Sequence, residues 1–455
     1  MSEQHFDIAI IGGGGGLTAA SHAVNDGKSV ALIDSQPDAL GGTCVNRGCL
    51  PTKGLIAPAD ALRAIHAADR LHIDVDRSTA RPEFAKIMRS IRDARAERAR
   101  GVRAWVEDTM TPFFGKARFT GEKRVEIDNG QALTADRVFI ATGARPSIPP
   151  IEGLAETPYL TNETALELDT LPESLVVIGG GYVGCEFAHA FSAFGSRITI
   201  IHPDRDRLLA EDHEIGDLFT SEFAQRVTLE LGAEATALES TASGVRATFT
   251  RDGNTNTVEG QAVLVATGRS PNNHDLNLEA TGVETDAKGW IKADNGLRTS
   301  HPDIYAYGDC IGRELFKLTS STEGTVAYHN AQGDDRAVDY NANPHAIFTE
   351  PEIASVGLTE QQCEQQNLNY QAASVPYDGI AKGQILGSPP GLAKAIVEKE
   401  TNRILGFHVA GPNAALLIHE PVLAMSAGLT ADHVRNTTHI HPTMGELVHK
   451  VFTKI

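Results

Sequence analysis

The chain has 455 residues, enough for about three domains at roughly 150 each, and at 41% hydrophobic with 43 glycines besides it buries real cores and is not generally disordered. A formal charge of -19, from 40 basic against 59 acidic residues, disfavours phosphate backbones and anionic membranes, so neither nucleic acid nor a membrane is expected as a partner. There is no run of about 18 apolar residues, and Met1-Ser-Glu-Gln-His-Phe-Asp7 lacks the basic-then-apolar order of a leader, so the expected location is cytoplasmic.

Phe6-Asp-Ile-Ala-Ile-Ile11 predicts a short buried strand, the five glycines from Gly12 to Gly16 a tight turn, and Leu17 to Val24 a helix. Val30-Ala-Leu-Ile33 predicts a second strand, and it ends in Asp34. This is the βαβ unit of dinucleotide sites: a bare glycine backbone approaches the pyrophosphate, the helix start favours the anion, and the acid takes ribose hydroxyls. Counted from Gly12, a Gly-x-Gly-x-x-Gly pattern gives Gly12, Gly14 and Leu17, one residue short or shifted. Next come Cys44-Val-Asn-Arg-Gly-Cys49, Leu-Pro-Thr-Lys53 and an Ala- and Arg-rich helical stretch from Ile87 to Val106. The strand Val138-Phe-Ile140 then runs into Ala141-Thr-Gly-Ala-Arg-Pro146.

The same grammar returns further on. Leu175-Val-Val-Ile178 leads into Gly179-Gly-Gly-Tyr-Val-Gly184, whose Gly179, Gly181 and Gly184 complete the pattern. A strand from Arg197 to Ile201 follows, and His202 stands where the first copy has its acid. Val263-Leu-Val265 and Ala266-Thr-Gly-Arg-Ser-Pro271 answer the earlier Ala-Thr-Gly turn. From Gly12 to Ala141 is 129 residues and from Gly179 to Ala266 is 87, so the first copy carries about 42 more, matching the stretch from Leu40 to Val106 that holds the close cysteines. Tyr307-Gly-Asp309 is a further strand end with an acid, Asn341-Ala-Asn-Pro344 reads as a linker, and the remainder, with no glycine-rich phosphate loop, reads as α+β.

Five cysteines (44, 49, 185, 310 and 363) are too few and too odd for a secreted disulfide framework. Only Cys44 and Cys49 are close. Spacing alone leaves three readings open: two incidental thiols, a zinc set completed by His439 and His441, or a redox pair that closes a small loop and opens it again.

The run Gly41-Gly-Thr-Cys-Val-Asn-Arg-Gly-Cys-Leu-Pro-Thr-Lys53 resembles the active-site signature of the pyridine nucleotide-disulfide oxidoreductases, a family of flavoproteins. The likeness spans nearly the whole chain through the Ala-Thr-Gly turns, Tyr305-Ala-Tyr-Gly-Asp309, Phe348-Thr-Glu-Pro-Glu-Ile-Ala-Ser-Val-Gly357 and His439-Ile-His-Pro-Thr-Met-Gly-Glu446. It implies an α/β fold of two Rossmann-like dinucleotide-binding domains and a C-terminal α+β dimerisation domain: 1–148 with 271–342 as a split FAD-binding domain, 149–270 as the NAD(P)-binding domain nested within it, and 343–455 as the interface domain. By the same resemblance Cys44 exchanges with substrate, Cys49 lies against the flavin, and Lys53 pairs with Glu186 beside it. His441 is the implied acid–base, oriented by Glu446, with His439 a weaker candidate. An ordinary thiol is mostly protonated at neutral pH, so dithiol oxidation calls for such a carboxylate-held base. Asp34 would hold the FAD ribose and Asp309 its ribityl chain; Gly12, Gly14, Thr43, Lys53, Thr142 and Gly143 complete the expected FAD contacts, and Gly179, Gly181, Gly184, His202 and Gly268 those of the pyridine nucleotide. In the family the histidine serves the other subunit's cysteines, so a homodimer with shared active sites is implied.

Within the family the dihydrolipoamide dehydrogenase branch agrees best. The chain ends Lys450-Val-Phe-Thr-Lys-Ile455, without the vicinal cysteines of mercuric reductases, and Ser21 and Thr325 stand where glutathione reductases place arginines for carboxylates. The expected reaction is FAD-dependent oxidation of a lipoyl-type dithiol, free or on a lipoylated carrier protein, with NAD+ as acceptor. The alternative is an NADPH-dependent reductase of another small disulfide, whose nicotinamide gate Tyr182 resembles. Lys317-Leu-Thr-Ser320 departs from the Ala-His-Lys-Ala that the branch carries before its Glu-Gly, here Glu323-Gly324. NAD is read over NADP, which stays possible, because His202 and Pro203 follow the strand while Arg205 and Arg207 lie further on. A scaffold that kept the fold without catalysis is the rival from another class, and the full Cys, Lys, Glu and His set argues against it.

Overall fold

A computed structural model describes residues 4–455. The chain forms two compact units: one of residues up to Thr52 with Arg89–Ser147 and Gly268–Asp339, the other of Lys53–Met88, Ile148–Thr267 and Tyr340–Ile455.

The first unit is built on a parallel sheet. Gln4–Ile11 lies between Val30–Asp34 and Ala132–Ile140, with Thr111–Phe114 beyond the former and Ile304–Ala306 beside the latter. The central stretches Ile8–Ile11, Val30–Ile33 and Val138–Ile140 are apolar runs buried on both faces, as in sheets covered by helices. A hairpin of Ala117–Gly121 and Arg124–Ile127 extends the sheet antiparallel to Ala132–Ile140. Connections leave Gln4–Ile11 to one side and return on the other, and doubly wound folds bind their ligands where the order reverses. At that point Gly12 has φ +115, and a Cβ there would lie 2.3 Å from the Ala141 carbonyl oxygen. Only glycine fits such an approach. The helix Leu17–Asn25 follows and buries only alanines: Ala19, Ala20 and Ala23. The expected helix from Ile87 to Val106 lies inside a longer one, Phe84–Thr109.

The second unit repeats this architecture. Its parallel strands run in the spatial order Thr228–Leu231, Arg197–His202, Ser174–Ile178, Ala262–Val265, and the helix Tyr182–Phe194 follows the glycine turn. An antiparallel meander of Glu234–Thr241, Gly244–Arg251 and Asn254–Gly260 covers a core of Val176, Ile178, Ile201, Phe249, Val263 and Val265. The C-terminal part is the expected α+β layer. Its antiparallel sheet runs His345–Ile347, Ile353–Gly357, Ile404–Ala410, Leu392–Glu398, Tyr370–Pro376, and the helix Glu446–Phe452 packs on it around Tyr377, Phe407, Val448 and Phe452. Among the described residues no helix is long and apolar enough to cross a membrane.

A buried polar network ties distant segments of this second unit together. Glu211 Oε1 accepts from the Tyr182 hydroxyl at 3.0 Å and meets His345 Nε2 at 2.9 Å, while Oε2 accepts from the Ser355 hydroxyl at 2.6 Å. The Tyr182 and His345 rings stack with centroids 5.6 Å apart. Next to it, Asp212 caps the helix His213–Phe223 and accepts from Lys394 Nζ at 2.9 Å. Burial alone raises the Glu211 carboxyl, but the His345 and Ser355 hydrogen bonds outweigh it and hold the group at about 2.

A carboxyl that low when folded and ordinary when unfolded stabilises the protein fully above the unfolded value, and the contribution is lost as pH falls through the folded one. Urea unfolding from pH 5 down to pH 2 is therefore expected to show a loss of up to about 3 kcal/mol from this group. Glu211→Gln should be less stable at pH 7 and should lack that part of the acid limb.

Candidate active site

In the first unit, Gly41 at φ +96 and Gly42 at φ +66 turn the chain into the short helix Gly42–Asn46, which carries Thr43 and Cys44; Cys49 then opens the helix Cys49–His66. Cys44 is half-buried and Cys49 exposed. The free N–H groups and dipole at the start of the longer helix favour negative charge there. The loop sits directly on the glycine turn. Gly41 N–H donates to Gly13 O at 2.7 Å, and a Cβ on Gly42 would lie 2.6 Å from Gly14 Cα. Asn46, which the sequence reading passed over, holds it in shape. It is buried, with Nδ2 at 2.8, 3.1 and 3.0 Å from the carbonyl oxygens of Ala39, Leu40 and Gly42. A polar side chain enclosed by glycines between two close cysteines was the available signal.

The two glycine turns are built alike, which settles the register of the first. Gly12 and Gly179 both carry positive φ, and a Cβ on either would lie 2.3 Å from a carbonyl oxygen, of Ala141 and Ala266 respectively. A Cβ on Gly16 would meet Gly12 O at 2.1 Å, and one on Gly184 would meet Gly179 O at 2.0 Å. Gly16 is thus the third glycine of the first turn, which is one residue shorter than the second, and counting a fixed spacing missed it. Asp34 Oδ2 accepts from Gly13 N–H at 2.6 Å and Oδ1 from Gln36 N–H at 2.7 Å; His202 Nδ1 accepts from Gly180 N–H at 3.1 Å in the matching place.

The remaining FAD positions gather in the first unit. Thr142 Oγ1 donates to Asn273 at 2.7 Å, and Gly143, at φ +71, has open space where a Cβ would be, as do Gly181 and Gly268 in their own turns. Asp309 is half-buried, and desolvation pushes its carboxyl up, opposed by Arg269. Arg269 Nε lies 3.7 Å from Asp309 Oδ2, buried and without a hydrogen-bond partner. These groups fit FAD: bare backbone and a helix start for the pyrophosphate, Asp34 for ribose hydroxyls, and polar groups with bonding capacity to spare at Asp309 and Arg269.

In the second unit the other residues are joined as two pairs. Lys53 Nζ donates to both Glu186 oxygens at 2.7 and 2.8 Å, the Phe348 N–H donates to Glu186 Oε1 at 3.1 Å, and the ammonium lies 4.5 Å from the Phe348 ring centroid. Glu186 is buried and Lys53 about one-third exposed. His441 Nδ1 lies 2.8 Å from Glu446 Oε1, and Glu446 Oε2 accepts from Thr443 N–H at 3.0 Å. The hydrogen bond from His441 holds the Glu446 carboxyl below its usual range. His441 itself is 70% exposed. His439 is enclosed instead, with Nε2 at 3.0 Å from Glu420 and Nδ1 at 2.9 Å from Thr437 O, a structural setting.

The chain belongs to the pyridine nucleotide-disulfide oxidoreductase family. It matches the family described as pyridine nucleotide-disulphide oxidoreductase over residues 6–334 and that family's dimerisation domain over residues 343–452. It is 36% identical to a dihydrolipoyl dehydrogenase of Chlamydia pneumoniae over 448 residues, 98% of this chain and 95% of that protein. It is also 35% identical to a mercuric reductase of Streptomyces lividans over 460 residues, 98% of this chain and 96% of that protein. Among solved structures, a Cu(II) complex of the HOCl-induced flavoprotein disulfide reductase RclA from Escherichia coli is similar over the whole of both chains, at 27% identity and a TM-score of 0.88. The protein is a flavoprotein disulfide oxidoreductase that takes FAD and NAD(P).

Asn46→Ala should lower stability by about 1 to 3 kcal/mol, because the Leu40 carbonyl it satisfies is buried. Urea unfolding measures the loss, and alkylation of the reduced protein should become faster at Cys44.

Proposed function

We propose that the protein oxidises a lipoyl-type dithiol, free or on a lipoylated carrier protein, to its disulfide, with NAD+ as the final acceptor. The observation that carries the reading is the exposed His441 ring held through Nδ1 by Glu446, which leaves Nε2 to take a proton from an incoming thiol. Cys44 and Cys49 are the pair it serves. In the oxidised enzyme the substrate thiolate attacks Cys44 Sγ, the Cys44–Cys49 bond breaks, and Cys49 leaves as a thiolate favoured by its helix start. The second substrate thiol then attacks the substrate sulfur of the mixed disulfide and releases Cys44, so the substrate has lost two electrons and two protons. Bound FAD would supply the two-electron chemistry that links the cysteine pair to the pyridine nucleotide. Asp34, Thr43, Lys53, Thr142, Gly143 and Asp309 would hold FAD, and the turn from Gly179 to Gly184 the nucleotide. Lys53 is kept in place for this by Glu186.

The lipoyl substrate is supported by the dihydrolipoyl dehydrogenases among the relatives and by the uncharged Ser21 and Thr325, which cannot grip the carboxylates of glutathione. A homodimer with shared active sites goes with this reading. Leu416, Leu423 and Ile440 are exposed apolar side chains within the dimerisation domain, and Ile440 adjoins His441. A reductase running in the opposite direction on another small disulfide draws on Tyr182 and on the mercuric reductases and RclA among the relatives.

Dihydrolipoamide:NAD+ turnover tests the assignment. Cys49→Ser should abolish it, and His441→Gln should lower kcat by about 10²- to 10⁴-fold. Intact turnover in Cys49→Ser would show the reading to be wrong, and a panel of disulfides with NADH and NADPH separates the reductase.

A further inference from the structure

We infer that His202 reads the 2′ position of the bound pyridine nucleotide as a hydrogen-bond donor, so that the protein takes NADP with nearly the affinity it has for NAD. The inference deepens the assignment of the nucleotide to the second glycine turn and rests on it.

The two copies of the fold supply the comparison. In the first, Asp34 ends the strand Val30–Asp34 and takes the Gly13 N–H on Oδ2 at 2.6 Å; a Cβ on Gly13 would lie 2.9 Å from that oxygen. In the second, His202 ends the strand Arg197–His202 and takes the Gly180 N–H on Nδ1 at 3.1 Å; a Cβ on Gly180 would lie 3.1 Å from His202 Cγ and 3.3 Å from Nδ1. The imidazole therefore occupies the seat of the carboxylate. The chemistry presented from that seat is opposite. A carboxylate is an acceptor only: it binds ribose hydroxyls and repels a 2′-phosphate. An imidazole whose Nδ1 accepts an N–H carries its proton on Nε2, which is a donor. Burial holds the ring toward its neutral form. A neutral donor serves a hydroxyl oxygen and a phosphate oxygen alike.

The groups around it add no strong selection. Arg205, which could favour a 2′-phosphate, is paired with Asp252 at 2.9 Å, and Arg207 with Asp217 at 2.7 Å. Asp204, the nearest acid, is engaged within its own loop by the N–H groups of Asp206 at 3.0 Å and Arg207 at 3.5 Å. The strand end thus has neither the acid that selects NAD nor the free arginines that select NADP.

Isothermal titration of the FAD-loaded protein with NAD+ and with NADP+ tests this by binding alone. The two dissociation constants are expected within about tenfold of each other. His202→Asp, which restores an outward acceptor, should weaken NADP+ relative to NAD+ by at least about 30-fold, whereas His202→Asn, with an acceptor for Gly180 and a donor outward, should keep the wild-type ratio. A wild-type preference of about a hundredfold or more for either nucleotide overturns the inference, as does an unchanged ratio in His202→Asp. Retained flavin absorbance shows that the variants are folded, and the wild-type ratio decides alone if they are not. If neither nucleotide binds while FAD stays bound, the site assignment itself has failed, a result distinct from a strong preference.

Discussion

The close approach of a glycine turn to the strand beside it is the constraint on which the rest depends. Gly12 presses on the Ala141 carbonyl and Gly179 on the Ala266 carbonyl, each at a distance that excludes a Cβ. That contact brings the helix start to the end of the sheet, where its N–H groups can meet a pyrophosphate. It also sets the next glycine against the residue that ends the neighbouring strand, Asp34 in one copy and His202 in the other. In the first copy it does more. The flat face of Gly14 receives Gly42, and with it the loop carrying Cys44 and Cys49. The loop that carries the two cysteines is thus seated on the glycine turn.

Around this frame the charged groups proposed to act are each held by a partner. Glu186 is enclosed and satisfied by Lys53 and the Phe348 N–H, and Glu446 is held by His441 and the Thr443 N–H. Removing one member would leave a buried or half-buried carboxylate unpaired, which costs more than the pair contributes. Asp309 and Arg269 differ: both are partly buried, and the enclosed Arg269 Nε has no hydrogen-bond partner. Bonding capacity left over at an enclosed nitrogen is what the proposed FAD site would use.

Much of the fold was legible because it is written twice. Two strand–glycine–helix runs and two Ala-Thr-Gly turns give the doubled Rossmann-like architecture before any coordinates, and period and length place the strands within a few residues of Gln4–Ile11 and Ser174–Ile178. The third glycine of the first turn was not legible from a fixed spacing, since only the geometry shows that Gly16 does the work of Gly184. Lys53 and Glu186 lie 133 residues apart, and resemblance rather than pattern joined them. Nothing local announces Glu211, whose partners are 29, 134 and 144 residues away. Asn46 could have been suspected from its place between the cysteines, but its role depends on three carbonyl groups whose convergence is tertiary.

The central claim is that a dithiol gives its electrons to the Cys44–Cys49 pair and through it to FAD. Anaerobic titration of the flavin-loaded protein with dihydrolipoamide, followed by absorbance, tests it most directly. The account predicts a new long-wavelength band that is complete at about one dithiol per chain. A flavin spectrum unchanged by excess dihydrolipoamide would contradict it.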